Sequence, residues 1–250
     1  MKDMNIFVVG DYGSTLVEEL VRECELYGHR VRLLTFGGEP GESLFDEAAD
    51  LYTGADLVIE MVILDVAAKQ TVITELDARL SLKTLILSAT LNASATEVAH
   101  WCGTEGRVVG FTAIPPFTNA TVVELMPALQ SDSAMIEVAK AFWQSIGREP
   151  VTIADSVGGV LPRIVCNLVN EAAYALMEGV ATHADIDLAM QLGTNHPRGP
   201  LAWADLIGIP QVVSILEALG REFGTAQYHP APLLKQYARA GRRFYEETET

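Results

Sequence analysis

The chain has 250 residues, 49% of them hydrophobic and 20% charged, with 33 Asp+Glu against 17 Lys+Arg and a formal net charge of −16. That composition is ordinary for a folded globular protein and excludes disorder and low-complexity behaviour. A surface this acidic repels phosphate backbones, so no nucleic-acid partner and no anionic membrane is expected.

The first elements read as strand, glycine turn, helix, strand. Residues 5–9 (NIFVV) form a short apolar run suited to a strand buried on both faces, broken at Gly10 and Gly13. Residues 14–27 place Leu16, Leu20 and Cys24 on one helical stripe, with Ser14 or Thr15 as the cap and Gly28 at the end. Residues 30–35 (RVRLLT) are a second strand, which completes a βαβ unit of the kind that builds parallel sheets. A loop follows at 36–43. Further strands are expected at 55–62, 84–90, 107–111, 121–126 and 150–153. Helices are expected at 65–80, at 94–101 and, with Ser131 as N-cap, at 132–146.

Beyond residue 158 the alternation stops and helix follows helix. The segment 159–181 carries Leu161, Val165, Leu168, Ala172 and Leu176 on one side, and glycines and prolines punctuate the short helices after it. The pattern predicts an α/β domain over 1–154, a reduced Rossmann-like and mostly parallel sheet, followed by an all-α domain over 155–250. The apolar run at 55–68 is interrupted by Glu60 and Asp65, so it is not a spanning helix. The start of the sequence reads without an apolar leader. Cys24, Cys102 and Cys166 are odd in number and far apart, so neither a disulfide framework nor a metal site is expected, and reduced thiols in the cytoplasm fit best.

In open α/β sheets a ligand sits at the carboxyl ends of the strands, near a helix N-terminus. Gly10 and Gly13 stand at that place as candidate cofactor-binding residues. The signature is weak. A full GxGxxG needs glycine at 12 and 15, where the chain has Tyr12 and Thr15, and the Tyr12 ring is expected to obstruct a pyrophosphate. Thr35 stands where a ribose would want a carboxylate.

The string DSVGGVLPRIVCNLVNEAAYALMEGVATHADIDLAMQLGTNHPRGPLAWADLIG (155–208) and FGTAQYHPAPLLKQYARAGRRFYE (223–246) resemble the helical domain of the L-3-hydroxyacyl-CoA dehydrogenase (3-hydroxybutyryl-CoA dehydrogenase) family. ADLVIEMV (55–62), TEVA (96–99) and GFTAIPPFTNATVVELM (110–126) resemble its N-terminal domain. The resemblance implies NAD-dependent interconversion of L-3-hydroxyacyl-CoA and 3-ketoacyl-CoA, a role in fatty acid metabolism, and a homodimer formed through the helical domain. It also implies a histidine base oriented by a glutamate, with a serine and an asparagine that position the reactants.

Aligned without gaps, the histidine position falls on Thr112, the serine on Leu91 and the asparagine on Pro162, just before Arg163. The glutamate position falls on Glu124, the sole family catalytic position kept. A slip of one residue puts Thr90 or Asn92 at the serine position, but none brings an imidazole to 112. A threonine hydroxyl does not ionise near neutral pH, so it cannot serve as general base. Among the histidines, His196 reads as structural, and His29 and His100 as surface residues at helix ends. Without its histidine, Glu124 reads either as a residual acid/base or, more simply, as a carboxylate kept for packing and backbone hydrogen bonding.

The family's helical hairpin between the second and third strands is reduced here to residues 36–54, with five carboxylates and no Lys or Arg. Such a stretch does not attract the phosphates of CoA. Arg163, Arg198, Lys235, Arg239, Arg242 and Arg243 could form a basic patch but read more simply as solvated helix faces. Trp101, Trp143 and Trp203 read as core or interface residues. Two functional readings follow: an impaired NAD-dependent oxidoreductase acting on an acyl-CoA-type molecule, or a non-catalytic partner that dimerises or binds a ligand.

Overall fold

The computed structural model describes residues 3–37, 45 and 49–245, and it divides into two compact units, one through Gly159 and one from Val160. The first unit runs β1 (Asn5–Asp11), α1 (Thr15–Leu26), β2 (Arg30–Phe36), α2 (Ala49–Tyr52), β3 (Leu57–Met61), α3 (Val66–Arg79), β4 (Leu85–Ala89), α4 (Ala95–His100), β5 (Val108–Thr112), β6 (Val122–Pro127), α5 (Ser133–Ser145) and β7 (Glu149–Thr152). The seven strands form one sheet in the order β2-β1-β3-β4-β5-β6-β7. β1 to β5 pair in parallel, β6 runs antiparallel to β5, and β7 is parallel to β6.

All seven expected strands are present, and the central ones are buried, β3, β4 and β5 at every residue. One layer of core joins Phe7, Val9, Val58 and Ile86 of the sheet to Val72, Ile73 and Leu76 of α3 and Val98 of α4. Phe111, Phe142 and Trp143 form an aromatic cluster with ring centroids 5.0 Å apart. The Leu16, Leu20 and Cys24 stripe of α1 is buried as its spacing requires. The loop expected at 36–43 begins instead as strand at Phe36, and residues 38–43 lie outside the described residues.

Local capping departs from expectation at two helices. Ser131 does not cap α5. Its hydroxyl donates to the Val108 carbonyl, and Asp132 takes the cap position. Ser14 occupies the cap of α1 but its side chain makes no capping bond. His29, expected at the surface, is buried at the start of β2. Its Nδ1 lies 3.3 Å from the Met4 amide and its Nε2 3.0 Å from Ser145 Oγ.

The second unit comprises α6 (Leu161–Met177), α7 (His183–Thr194), α8 (Pro200–Ile207), α9 (Ile209–Phe223) and α10 (Pro232–Ala240). The buried face of α6 is Pro162, Val165, Cys166, Val169, Asn170, Ala172 and Ala173. The expected stripe is therefore rotated, and Leu161 is exposed. Trp143 is fully buried, whereas Trp101 and Trp203 are half-buried. The three cysteines are buried and free, and burial pushes each thiol up to about 12. Among the described residues no single helix is long and apolar enough to cross a membrane, and no cluster of potential metal ligands occurs.

Candidate functional site

Two groups of polar residues gather at the carboxyl ends of the central strands. The first is fixed by the antiparallel turn of the chain. Thr112 at the end of β5 is paired directly with Glu124 of β6. Opposed residues of antiparallel strands project to the same face a few ångströms apart, so register alone brings the two side chains together. The Thr112 hydroxyl donates to Glu124 Oε2 at 2.8 Å. Thr112 is buried and Glu124 half-buried.

Gly159 covers this pair. A Cβ there would lie 2.2 Å from Glu124 Oε2 and 2.9 Å from Thr112 Oγ1, and the residue has φ +54°. Only glycine provides both the close approach and the left-handed backbone. The segment leading to it is pinned to the sheet. Asp155 accepts hydrogen bonds from the Ala95 and Thr96 amides, each at 2.8 Å, and the Gly158 amide donates to the Thr90 carbonyl at 2.7 Å.

The other candidate positions hold no ionisable group. Leu91 is buried just beyond β4, and Pro162 is buried in the first turn of α6. Thr90 donates to the Phe111 carbonyl and Asn92 to the Ile63 carbonyl, so both alternative serine-site residues are engaged with backbone. His100 is exposed at the end of α4, and His29 is committed to Met4 and Ser145. In the helical unit the His183 ring packs on Tyr245, His196 is half-buried and His229 exposed.

The second group was missed from sequence. Glu60 and Lys69 are completely buried and paired at 2.5 Å. Ser88 Oγ also donates to Glu60 Oε2, the Val62 amide to Glu60 Oε1, and Lys69 Nζ to the Ala89 carbonyl at 2.9 Å. A buried ion pair survives when its remaining donors and acceptors are met in this way. Asp11, the last residue of β1, accepts from the Ile63 amide at 2.7 Å and the Leu64 amide at 3.2 Å through Oδ2. Burial pushes its carboxyl above the ordinary range, although these backbone donors oppose that rise. The available signal was two acidic residues, Asp11 and Glu60, at the end of and inside apolar strand runs, with Lys69 in the helix that follows β3.

Strand order reverses between β1 and β3, and in open α/β sheets the ligand crevice opens at that switch. The shape of the β1–α1 turn fits a dinucleotide. A Cβ on Gly10 would lie 2.8 Å from Val17 Cγ2 and 3.1 Å from the Met61 carbonyl, so glycine lets α1 pack onto the sheet. Gly13 has φ +71°, and nothing lies within 4 Å of where its Cβ would stand. Tyr12, expected to obstruct the turn, is 76% exposed, because the tip between the two glycines directs it to solvent. The charge of the turn does not fit: Asp11 sets a buried carboxylate where a diphosphate is to be received.

Much of the acidic stretch 36–54 lies outside the described residues. Within it Phe45 is buried and α2 is formed. The candidate basic patch resolves into local contacts. Arg163 lies over the Phe223 ring at 4.3 Å and donates to the Tyr228 hydroxyl, Lys235 pairs with Glu217, and Arg198 stands 6.0 Å from the Trp203 ring. Arg243 reaches the Asp205 carbonyl, and Arg239 and Arg242 are exposed.

Comparison with known proteins accounts for this architecture. Residues 43–156 match the model of the 3-hydroxyacyl-CoA dehydrogenase NAD binding domain, and residues 158–248 match that of the 3-hydroxyacyl-CoA dehydrogenase C-terminal domain. The first match begins after the Gly10–Gly13 turn. The chain is 35% identical over 202 residues to a probable 3-hydroxybutyryl-CoA dehydrogenase of Bacillus subtilis, covering 78% of this chain and 70% of the relative. It is 34% identical over 195 residues to a 3-hydroxybutyryl-CoA dehydrogenase of Bradyrhizobium diazoefficiens, covering 78% and 67%. A crystal structure of (S)-3-hydroxybutyryl-CoA dehydrogenase from Ralstonia eutropha superposes with a TM-score of 0.76 at 26% identity, over 99% of this chain and 100% of that one. The N-terminal domain of this group binds NAD, and its members are oxidoreductases. A parallel sheet with a glycine turn, a cross-strand Glu124 and a helical half matched from residue 158 together make this chain a member of the 3-hydroxyacyl-CoA dehydrogenase family.

Proposed function

We propose that this chain is a 3-hydroxyacyl-CoA dehydrogenase-family protein whose proton-transfer machinery is lost, leaving it weakly active or inactive toward 3-hydroxyacyl thioesters. The observation that carries the reading is the Thr112–Glu124 hydrogen bond. The hydroxyl gives its one proton to the carboxylate. Its lone pairs are left to accept a hydrogen bond from a substrate hydroxyl, but it has no capacity to hold the proton. Positioned proton transfer contributes on the order of a hundred- to ten-thousand-fold to catalysis. With Leu91 and Pro162 at the positioning sites, no side chain at those places replaces what 112 lacks.

The test is NADH oxidation with a 3-ketoacyl-CoA thioester, run beside the Bacillus subtilis relative. This chain is expected to turn over at least about a hundredfold more slowly. A comparable rate in both enzymes would refute the reading.

A second reading is favoured by a specific feature of the helical unit. Leu161, Ile164 and Met177 of α6, with Val180, Leu188 and Leu192, are large, apolar and exposed. Large exposed apolar residues recurring along one stretch of chain support an association surface rather than a solvated one. The chain is then a homodimer through its helical domain, acting as a binding partner more than as an enzyme. An acyl-CoA-type molecule is the proposed ligand class, and three buried thiols accord with a cytoplasmic setting.

A further inference from the structure

The turn at the β1–β3 switch contains a buried acidic residue, Asp11, that the Thr112 site does not use. We propose that Asp11 sets the dinucleotide affinity of this chain: its buried carboxylate, at the end of β1 and hydrogen-bonded to the amides that follow β3, opposes the charge of an incoming diphosphate, so cofactor binding stays weak while that charge is present. The inference rests on reading the crevice as the NAD site of this family.

Asp11 ends β1, and its acceptors reach Ile63 and Leu64, which follow β3. The carboxylate thus bridges the two strands between which the sheet order reverses. A diphosphate bound in such a crevice is received by the N-terminus of the first helix. In this chain the same turn carries Asp11, whose carbonyl accepts from the Ser14 amide at the head of α1. Any anion held there shares the turn with a buried negative charge, and like charges a few ångströms apart in a poorly screened site repel strongly. The charged groups that act on Asp11 are Glu60 of β3 and Lys69 of α3. They are paired with each other and act on Asp11 in opposite senses, so Lys69 offsets its charge only in part.

The experiment is calorimetric titration of the full chain with NADH, for the unmodified protein and for Asp11→Asn. The amide retains an oxygen to accept from Ile63 and Leu64 and removes only the charge. Asp11→Asn is expected to bind NADH about tenfold more tightly or better. Equal or weaker binding, including no binding by either protein, overturns the proposal. The unmodified protein supplies a second measurement should the variant fold poorly. Its NADH affinity is expected to rise as pH is lowered and Asp11, whose carboxyl burial raises above the ordinary carboxylate range, takes up its proton. A flat or opposite profile also overturns it. Turnover is scored separately. An Asp11→Asn protein that binds NADH and still fails to reduce a 3-ketoacyl thioester upholds both this inference and the lost proton relay. One that binds and turns over rapidly upholds this inference alone.

Discussion

His29 shows how much a single residue can commit. Ser145 Oγ donates to the Phe142 carbonyl at 2.6 Å, so it can only accept from His29 Nε2. The Met4 amide donates to Nδ1. Both ring nitrogens are thereby assigned, and the neutral Nε2–H tautomer is the one that fits. A proton on Nδ1 would face the Met4 N–H. Burial lowers the histidine from its ordinary value near 6.5, which outweighs the favourable field of Asp3. Because the folded state binds the proton less readily than the unfolded one, the stability His29 contributes is present above about pH 6.5 and is lost as pH falls below it. Denaturant midpoints measured across this range should decline more steeply for the unmodified protein than for His29→Gln. Parallel slopes would show that another group carries the effect. The Glu60–Lys69 pair follows the same logic of burial: each charge is tolerable only because the other, and Ser88, are within reach.

At the scale of elements, the short helices depend on caps supplied from far along the chain. α4 has six residues, too few to be stable by itself. Its first three amides are all met: Ala95 and Thr96 by the Asp155 carboxylate, and Glu97 by Ser94 Oγ. Asp155→Ala removes two charge-assisted bonds from a helix N-terminus. The expected loss is about 1–3 kcal/mol, read from the thermal or denaturant midpoint. A loss under about 0.5 kcal/mol would mean that water caps α4 equally well. The GTNHPRGP segment is explained the same way. Asn195 ends α7 in the left-handed conformation, Pro200 opens α8, and the Leu201 and Ala202 amides donate to the Asp187 carboxylate. A Cβ on Gly199 would lie 2.1 Å from Asp187 Cγ, so the glycine makes room for that cap. This motif reflects a helix junction, and His196 within it is half-buried rather than part of a reacting group.

At the scale of the whole molecule, the proposed loss of the base turns attention to the helical unit. The helical unit preserves a tightly packed interior: Cys166, Val169, Ala173, Leu201, Val212, Ile215, Leu216 and Leu219 are all buried. Its exposed apolar residues are the larger clue to what is retained. If they form a homodimer surface, Leu188→Asp with Leu192→Asp on α7 should convert a dimer to a monomer in light scattering while the fold persists by circular dichroism. A monomer in the unmodified protein, or a dimer that survives both substitutions, would exclude this face.

How much of this could be read from residues alone depends on the range of the interaction. The seven strands and the helical second half were legible, because apolar periodicity is a local property. The buried stripe of α6 was misjudged because the face a helix buries is set by its neighbours, not by its own period. His29 was misplaced for the same reason: whether a side chain is covered depends on what another segment brings to it. The antiparallel register that joins Thr112 to Glu124, the switch between β1 and β3, and the burial of Asp11, Glu60 and Lys69 belong to the tertiary structure. A charged group is stable inside a protein only beside partners, and for Asp11 those partners lie 52 and 53 residues away along the chain.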